Sequence, residues 1–290
     1  MDACLDNLSD FLVIYRSTPA PITMSLFLKP KDAHSARIIC DLRPLNGLYT
    51  RKPPAFRLPS TSTLAASTRW WPTCFYTKLD ISAYFHSLSL RPQDRSRLLP
   101  AGFSGDPFVF SYADSHWRWL RLPFGWSWAS VLAQKEMERL VSAALHSFAD
   151  ILHLIYYDDL LLASPDPDAL RFATMACVTF LQQSGLLLSL HKCVLEPVLA
   201  VDWSGKHFEH RVVCNTPDRR RQLAGLFAAA GRCVCTRTLR RLLGWASRFC
   251  NHFHGSARAL HGAYRMFNGG CSAGLSWEAL WPFALSVTLG

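Results

Sequence analysis

Asp158 and Asp159 are adjacent carboxylates set between two short apolar runs, Ile151 to Tyr157 and Leu160 to Ala163. Each run has the length and composition of a strand. A two-residue join between such runs predicts a tight β-hairpin with both acids at its tip. Charges crowded in this way repel, and a divalent cation is the usual means of offsetting them. A solvated Asp-Asp turn is the plain alternative on these residues alone. A third carboxylate bears on the choice. Cys74 to Leu79 is apolar and β-prone and runs into Asp80, with Tyr84 and Phe85 four and five residues on. An isolated charge at the end of a buried strand is costly, so Asp80 needs a basic partner or a bound cation. Asp80 and Asp158 lie 78 residues apart, so two strands have to bring them together.

The elements around these acids can be read in order. Ile22 to Leu28 and Arg37 to Leu42 predict an antiparallel pair joined by a basic turn, Lys29-Pro30-Lys31-Asp32. Lys29, Lys31 and Arg37 near such a loop could grip a triphosphate, although basic hairpin tips are commonly just solvated. Residues 50 to 73, rich in Pro, Ser, Thr and Arg, predict an extended connection. Two further strands are expected over Phe108 to Tyr112 and Trp117 to Leu122. Leu122-Pro123-Phe124-Gly125 then breaks the chain, and Ser127 is placed to cap a helix from Trp128 to Phe148. Gly125, just before that helix, could let backbone approach a ligand. After the acidic hairpin, Asp166 and Pro167 predict a helix start and Gly185 its end. A strand over Leu186 to Leu190 leads to Lys192, a proton donor or a surface lysine. A hairpin follows from Val198 to Lys206 with Trp203-Ser204-Gly205 at its turn. Helices are expected over Arg219 to Ala230 and Thr236 to Phe253.

The chain has 290 residues and a formal charge of +10, half of its residues being apolar. From His210 to Trp277 there are eleven Arg, no Lys and one acid, Asp218, so this segment carries the whole excess. A one-sided run of Arg favours phosphate contact. The ten Cys show neither a secretory leader nor tight disulfide spacing, which predicts reduced thiols in cytoplasm or nucleus. Cys233, Cys235, Cys250, His252 and His254 do not have the usual zinc spacing. No apolar run reaches the roughly 18 residues of a membrane span, so no membrane partner is expected.

Placed in order, these pieces resemble the reverse transcriptases: basic strand pair, strand-Asp-aromatic, Pro-Phe-Gly-helix, aromatic-x-Asp-Asp hairpin, Gly-strand-Lys, then a Gly hairpin. The likeness covers about residues 22 to 208, with a thumb-like continuation to about 268. Asp41-Leu42-Arg43-Pro44-Leu45-Asn46 and Asp80-Ile81-Ser82-Ala83-Tyr84-Phe85-His86 look most like the DIRS-group tyrosine-recombinase retrotransposons, VIPER elements included. Hepadnaviral polymerases are similar around Asp80, and LTR retroelements are more distant. The resemblance implies an α+β right-hand polymerase: fingers, a palm of antiparallel sheet packed on helices, and a helical thumb. Residues 1–79 would be partial fingers and the start of the palm. Residues 80–208 would be palm with a fingers insertion around 91–122, residues 209–268 the Arg-rich thumb, and residues 269–290 a tail or the start of a connection.

The resemblance also implies roles. Asp80 and Asp158 would be the principal ligands of two Mg²⁺ (or Mn²⁺) ions and Asp159 the supporting one. Two ions about 3.5–4 Å apart would activate the primer 3′-hydroxyl and stabilise leaving pyrophosphate. Arg37, with Lys29 or Lys31, would hold the triphosphate, Phe85 would exclude a 2′-hydroxyl, and Tyr84, Phe124, Gly125 and Tyr157 would line the nucleotide pocket. Tyr156 and Tyr157 would pack beside the primer terminus. Lys192 would donate a proton to pyrophosphate, and Trp203, Ser204 and Gly205 would form the primer grip. Arg219, Arg220, Arg237, Arg240 and Arg241 would hold the nucleic-acid backbone. The implied partners are an RNA template, a DNA or RNA primer and deoxynucleoside triphosphates, with RNase H and recombinase domains elsewhere in a retroelement polyprotein. Trp126-Ser127-Trp128-Ala129-Ser130 stands where the family usually has Leu-Ser-Ser-Ala-Pro, and only about 20 residues precede the first strand, so an upstream segment is expected. After residue 210 the only acids are Asp218 and Glu278, too few for a four-carboxylate nuclease. A catalytically silent, nucleic-acid-binding relative is the alternative.

Overall fold

The computed structural model describes residues 14–17, 24–30, 36–49, 52–56, 58, 61–68, 70–90, 108–112, 114–209 and 212–230. Lys31, the helix expected over Thr236 to Phe253 with Arg237, Arg240 and Arg241, the Cys/His group from Cys233 and the tail lie outside the described residues. In chain order the elements are β1 (Ile14–Ser17), β2 (Leu26–Pro30), β3 (Ala36–Cys40), α1 (Arg43–Leu48), α2 (Thr61–Thr68), β4 (Phe75–Asp80), α3 (Tyr84–Ser87), β5 (Val109–Tyr112) and β6 (Ser115–Trp119). Then follow α4 (Ala129–Ala144), β7 (Leu152–Tyr156), β8 (Asp159–Ser164), α5 (Pro167–Gln183), a 3₁₀ turn (Leu190–Lys192), β9 (Val194–Val198), β10 (Ala200–Trp203), β11 (Lys206–Glu209), β12 (Val212–Asn215) and α6 (Pro217–Ala230). Two compact units share these elements. One comprises Met1–Arg57, Leu79–Ser147 and Ala176–Lys192, the other Leu58–Lys78, Phe148–Met175 and Cys193–Gly290.

In the first unit β2 and β3 pair antiparallel, with Lys29 opposite Arg37. The strand expected from Ile22 begins only at Leu26, and Met24 makes a single parallel bridge to Phe110. A second sheet has the order β1-β6-β5. Helix α4 buries Val131, Met137, Leu140, Val141 and Ala144, the stripe its apolar spacing predicts. It begins without a side-chain cap at Trp128. Ser127 lies one residue before that cap position, and its N–H donates to Asn46 Oδ1 at 2.9 Å.

The second unit is built on the sheet β7-β8-β4-β9. In β8, Leu160 to Ala163 are all fully buried, which suits a strand with a partner on each side. Strand β9 was not expected, since Glu196 and Pro197 interrupt its apolar pattern. An edge position tolerates a proline that cannot donate, and the register slips between the Tyr76–Val198 and Lys78–Val194 pairs. Leu64, Cys74, Tyr76, Leu154, Leu161, Val201, Trp203 and Phe208 form the core of this unit. Leu64 comes from α2, a helix in the stretch read as an extended connection. Helix α5 is capped as expected: Asp166 Oδ1 accepts from the N–H groups of Asp168 (2.9 Å) and Ala169 (3.2 Å). Gly185 ends it at φ +82°. Among the described residues no helix is long and apolar enough to cross a membrane.

Candidate active site

The acidic hairpin is present, with its turn one residue earlier than the sequence predicts. Tyr156 pairs with Asp159, so the two-residue turn is Tyr157-Asp158, and Asp159 is the first residue of β8. Tyr157 takes φ +53°, the left-handed value that the first position of a type II′ turn requires and that glycine would adopt without strain. Holding a tyrosine there costs of order 1–3 kcal/mol. The Tyr156 and Tyr157 rings stack edge to face, 5.1 Å between centroids.

Asp80 closes β4 and is buried. Of the two means of offsetting its charge, the structure holds a basic partner: Lys192 Nζ donates to Asp80 Oδ1 at 3.0 Å. The strand expected over Leu186 to Leu190 is reduced to one antiparallel bridge, Leu188 to Ile81. The chain then curls into the 3₁₀ turn that ends at Lys192. Beyond Asp80, Ala83 sits at φ +46° and starts α3. Tyr84 is 2% exposed and donates its hydroxyl proton to the Ala133 carbonyl at 2.8 Å. Its side chain is buried in the core. Phe85 is half-buried and packs on Phe124, 4.8 Å between centroids. His86 lies on Trp119 and edge-on to Phe124, and burial pushes its imidazole down to about 4.

Gly125 is exposed at φ +96°. A Cβ there would meet the Cys40 carbonyl oxygen at an ordinary 3.5 Å, so backbone conformation and not space is what favours glycine. Its carbonyl accepts from Asn46 Nδ2 at 2.9 Å, while Asn46 Oδ1 accepts from the Ser127 N–H. One amide thus fixes both sides of the Pro-Phe-Gly loop from residues 79 and 81 positions away. No role for Asn46 was legible from the sequence, where nothing marks so distant a contact. Trp126 is buried against Phe108, 5.1 Å between centroids, and tilts towards Tyr49, so this indole faces the core. Asp41 holds Arg43 bidentate at 2.8 and 2.6 Å, and the Arg43 guanidinium keeps the Asp41 carboxyl down at about 2.

The turn expected at Trp203-Ser204-Gly205 joins β10 to β11. Ser204 and Gly205 form it at φ +47° and +71°, and Trp203 belongs to the core. The Arg219 guanidinium lies directly over Gly205, where a Cβ would overlap it. Arg220 is exposed. Lys29 is exposed in β2 at the register of Arg37. Among the described residues no three or more His, Cys, Asp or Glu side chains are grouped so as to hold a metal ion.

Over residues 28–208 the chain matches the family model for reverse transcriptase (RNA-dependent DNA polymerase), more than half its length, and it belongs to that family. Its curated relatives include Protein P of duck hepatitis B virus, 27% identical over 71% of this chain and 25% of that protein. Another is the Gag-Pol polyprotein of Rous sarcoma virus, 28% identical over 59% of this chain and 10% of that one. The chain thus spans a quarter or less of these two polyproteins or polymerases. The fold is that of the foamy viral protease–reverse transcriptase. The structure of that protein's dRH form in complex with double-stranded DNA superposes with TM-score 0.72 at 16% identity, covering 99% of this chain and 47% of that one. Its complex with an RNA/DNA hybrid gives 0.68, at 16% identity, over 98% and 36%. The architecture is therefore the right-hand polymerase of mixed helix and sheet.

Proposed function

We infer that this chain is the polymerase module of a retroelement reverse transcriptase, copying an RNA template into DNA from a DNA or RNA primer and deoxynucleoside triphosphates. The observation that carries the reading is the match to the reverse transcriptase family model over residues 28–208, a span that holds Asp80 at the end of β4 and the hairpin of Asp158 and Asp159. Asp80 and Asp158 would hold two Mg²⁺, or Mn²⁺, with Asp159 in support. Carboxylate oxygens are the hard donors these ions prefer, and Mg²⁺ completes its shell with water and substrate phosphates instead of a protein cage. When bound, the ions supply Lewis acidity to the primer hydroxyl and the departing pyrophosphate.

The chain's own groups bind and orient. Lys29 and Arg37 occupy one rung of the β2–β3 pair, and this reading gives both the incoming triphosphate to hold. Phe85, held from behind by Phe124, presents a ring where a ribose 2′-hydroxyl would have to fit. The Gly125 loop offers backbone to the template and nucleotide side. Ser204 and Gly205 grip the primer, and the Arg-rich segment from Arg211, with Arg219, Arg220, Arg237, Arg240 and Arg241, follows duplex phosphates. In this reading residues 1–79 are partial fingers and the start of the palm, residues 80–208 the palm with a fingers insertion around 91–122, residues 209–268 the Arg-rich thumb, and residues 269–290 a tail or the start of a connection.

The motifs at Asp41 and Asp80 favour the DIRS group within the family. RNase H and recombinase functions would then lie elsewhere in a polyprotein. The free thiols of Cys40, Cys74 and Cys177 fit a cytoplasmic or nuclear setting. Extension of oligo(dT) on poly(rA) by the purified chain, with dTTP and Mg²⁺ or Mn²⁺, tests the reading. Incorporation is expected. Salt-sensitive duplex binding with no incorporation would instead support a silent nucleic-acid-binding module.

A further inference from the structure

The position of Lys192 is set by backbone. Ser189 N–H donates to the Asp80 carbonyl at 2.8 Å, Leu188 bridges Ile81, and Ser82 N–H donates to the Leu187 carbonyl at 2.7 Å. The segment before Lys192 is thus laced to the segment that begins at Asp80. The 3₁₀ turn closes with Lys192 N–H on the Ser189 carbonyl at 2.8 Å and delivers the ammonium to Asp80 Oδ1. The two side chains differ in exposure, 10% for Asp80 and 53% for Lys192. The carboxylate is fixed and covered, whereas the lysine keeps an open path to solvent.

Covering a carboxylate is costly, and a cation held against it offsets much of that cost. An ammonium and a divalent ion at the same oxygen compete, because each is there to offset the same charge. We propose that Lys192 is the place-holding cation of Asp80. It neutralises the carboxylate in the metal-free protein, yields Oδ1 when a divalent cation binds, and so sets the metal affinity of the site. The displaced ammonium then becomes available to other anions. This rests on the reading of Asp80 as a metal ligand.

The test is Mn²⁺ titration of the full chain, read by the electron paramagnetic resonance of the free ion, beside thermal unfolding with and without Mn²⁺. Lys192→Met removes the competitor, and its Mn²⁺ affinity should rise about fivefold over wild type, the scale of a partly exposed ion pair. Its metal-free melting temperature should fall, and Mn²⁺ should raise that temperature by more than in wild type. Lys192→Gln serves as the second neutral variant should the methionine fail to fold. Lys192→Arg should keep the wild-type affinity. A folded Lys192→Met or Lys192→Gln that binds Mn²⁺ no tighter than wild type overturns the proposal, since a lysine that merely supports the fold would lose affinity when removed. Asp80→Asn separates the two readings. If it binds Mn²⁺ as wild type does, Asp80 is not a ligand and the metal-site reading itself falls.

Discussion

Phe85 and His86 are neighbours in sequence with different consequences. Phe85 packs on Phe124 and is half-buried, and its proposed role is to exclude a 2′-hydroxyl. Phe85→Val should raise the use of UTP relative to dTTP by about tenfold or more, the scale at which a pocket discriminates one small group. Unchanged sugar preference in single-nucleotide incorporation would remove the gate role. His86 is packed between aromatic rings, and burial holds its imidazole down to about 4, against about 6.5 in the unfolded chain. The unfolded state therefore takes up this proton first. The stability that a neutral His86 contributes is complete above about pH 6.5 and is lost as pH falls from there towards 4. The loss is of order 3 kcal/mol, and His86→Phe should flatten the melting-temperature profile across that window. Asp80 was legible as a strand end and Asp158 and Asp159 as part of a hairpin, because apolar runs mark both elements. The contact of the Tyr84 hydroxyl with Ala133 was not, since nothing local marks a partner 49 residues away.

At the scale of elements, the acidic hairpin shows where sequence reading reaches its end. Two apolar runs fixed the existence of β7 and β8, and aspartates are good turn residues, so both acids were assigned to the tip. The structure moves the turn to Tyr157-Asp158 and accepts a left-handed tyrosine, because the pairing of Tyr156 with Asp159 keeps Leu160 to Ala163 in the core. Helix α2 was missed since Thr61 to Thr68 carries no apolar stripe to announce it. The strand after Gly185 was over-read, and its backbone groups go to Ile81, Ser82 and Asp80 instead. The loop from Phe124 to Ser127 depends on Asn46, and here a direct prediction follows. Asn46→Ala should lower kcat/KM for nucleotide incorporation about tenfold, the equivalent of one to two hydrogen bonds, with melting temperature reduced by only a few degrees. Asn46→Asp should not rescue, because a carboxylate cannot donate to the Gly125 carbonyl. Wild-type kinetics in either variant would show that the loop holds itself.

For the whole molecule, charge and fold point the same way. The surplus of ten positive charges lies in one C-terminal segment, and the described part of that segment places Arg219 over the Gly205 turn and leaves Arg220 exposed. The logarithm of duplex affinity should fall linearly with the logarithm of salt concentration. Arg220→Ala should lower that slope by about one without altering sequence preference, as fluorescence anisotropy with labelled duplexes would read. The order of motifs made the polymerase fold legible from end to end. The division of the chain into two discontinuous units was not, because it depends on contacts between segments far apart in sequence. The measurement that bears most directly on the account is primer extension on poly(rA)/oligo(dT) by wild type and Asp158→Asn, with duplex binding followed in the same samples. The account predicts extension by wild type, a loss on the order of a thousandfold in the variant, and equal duplex binding by both. Extension undiminished in Asp158→Asn, or duplex binding by both with extension by neither, would contradict it.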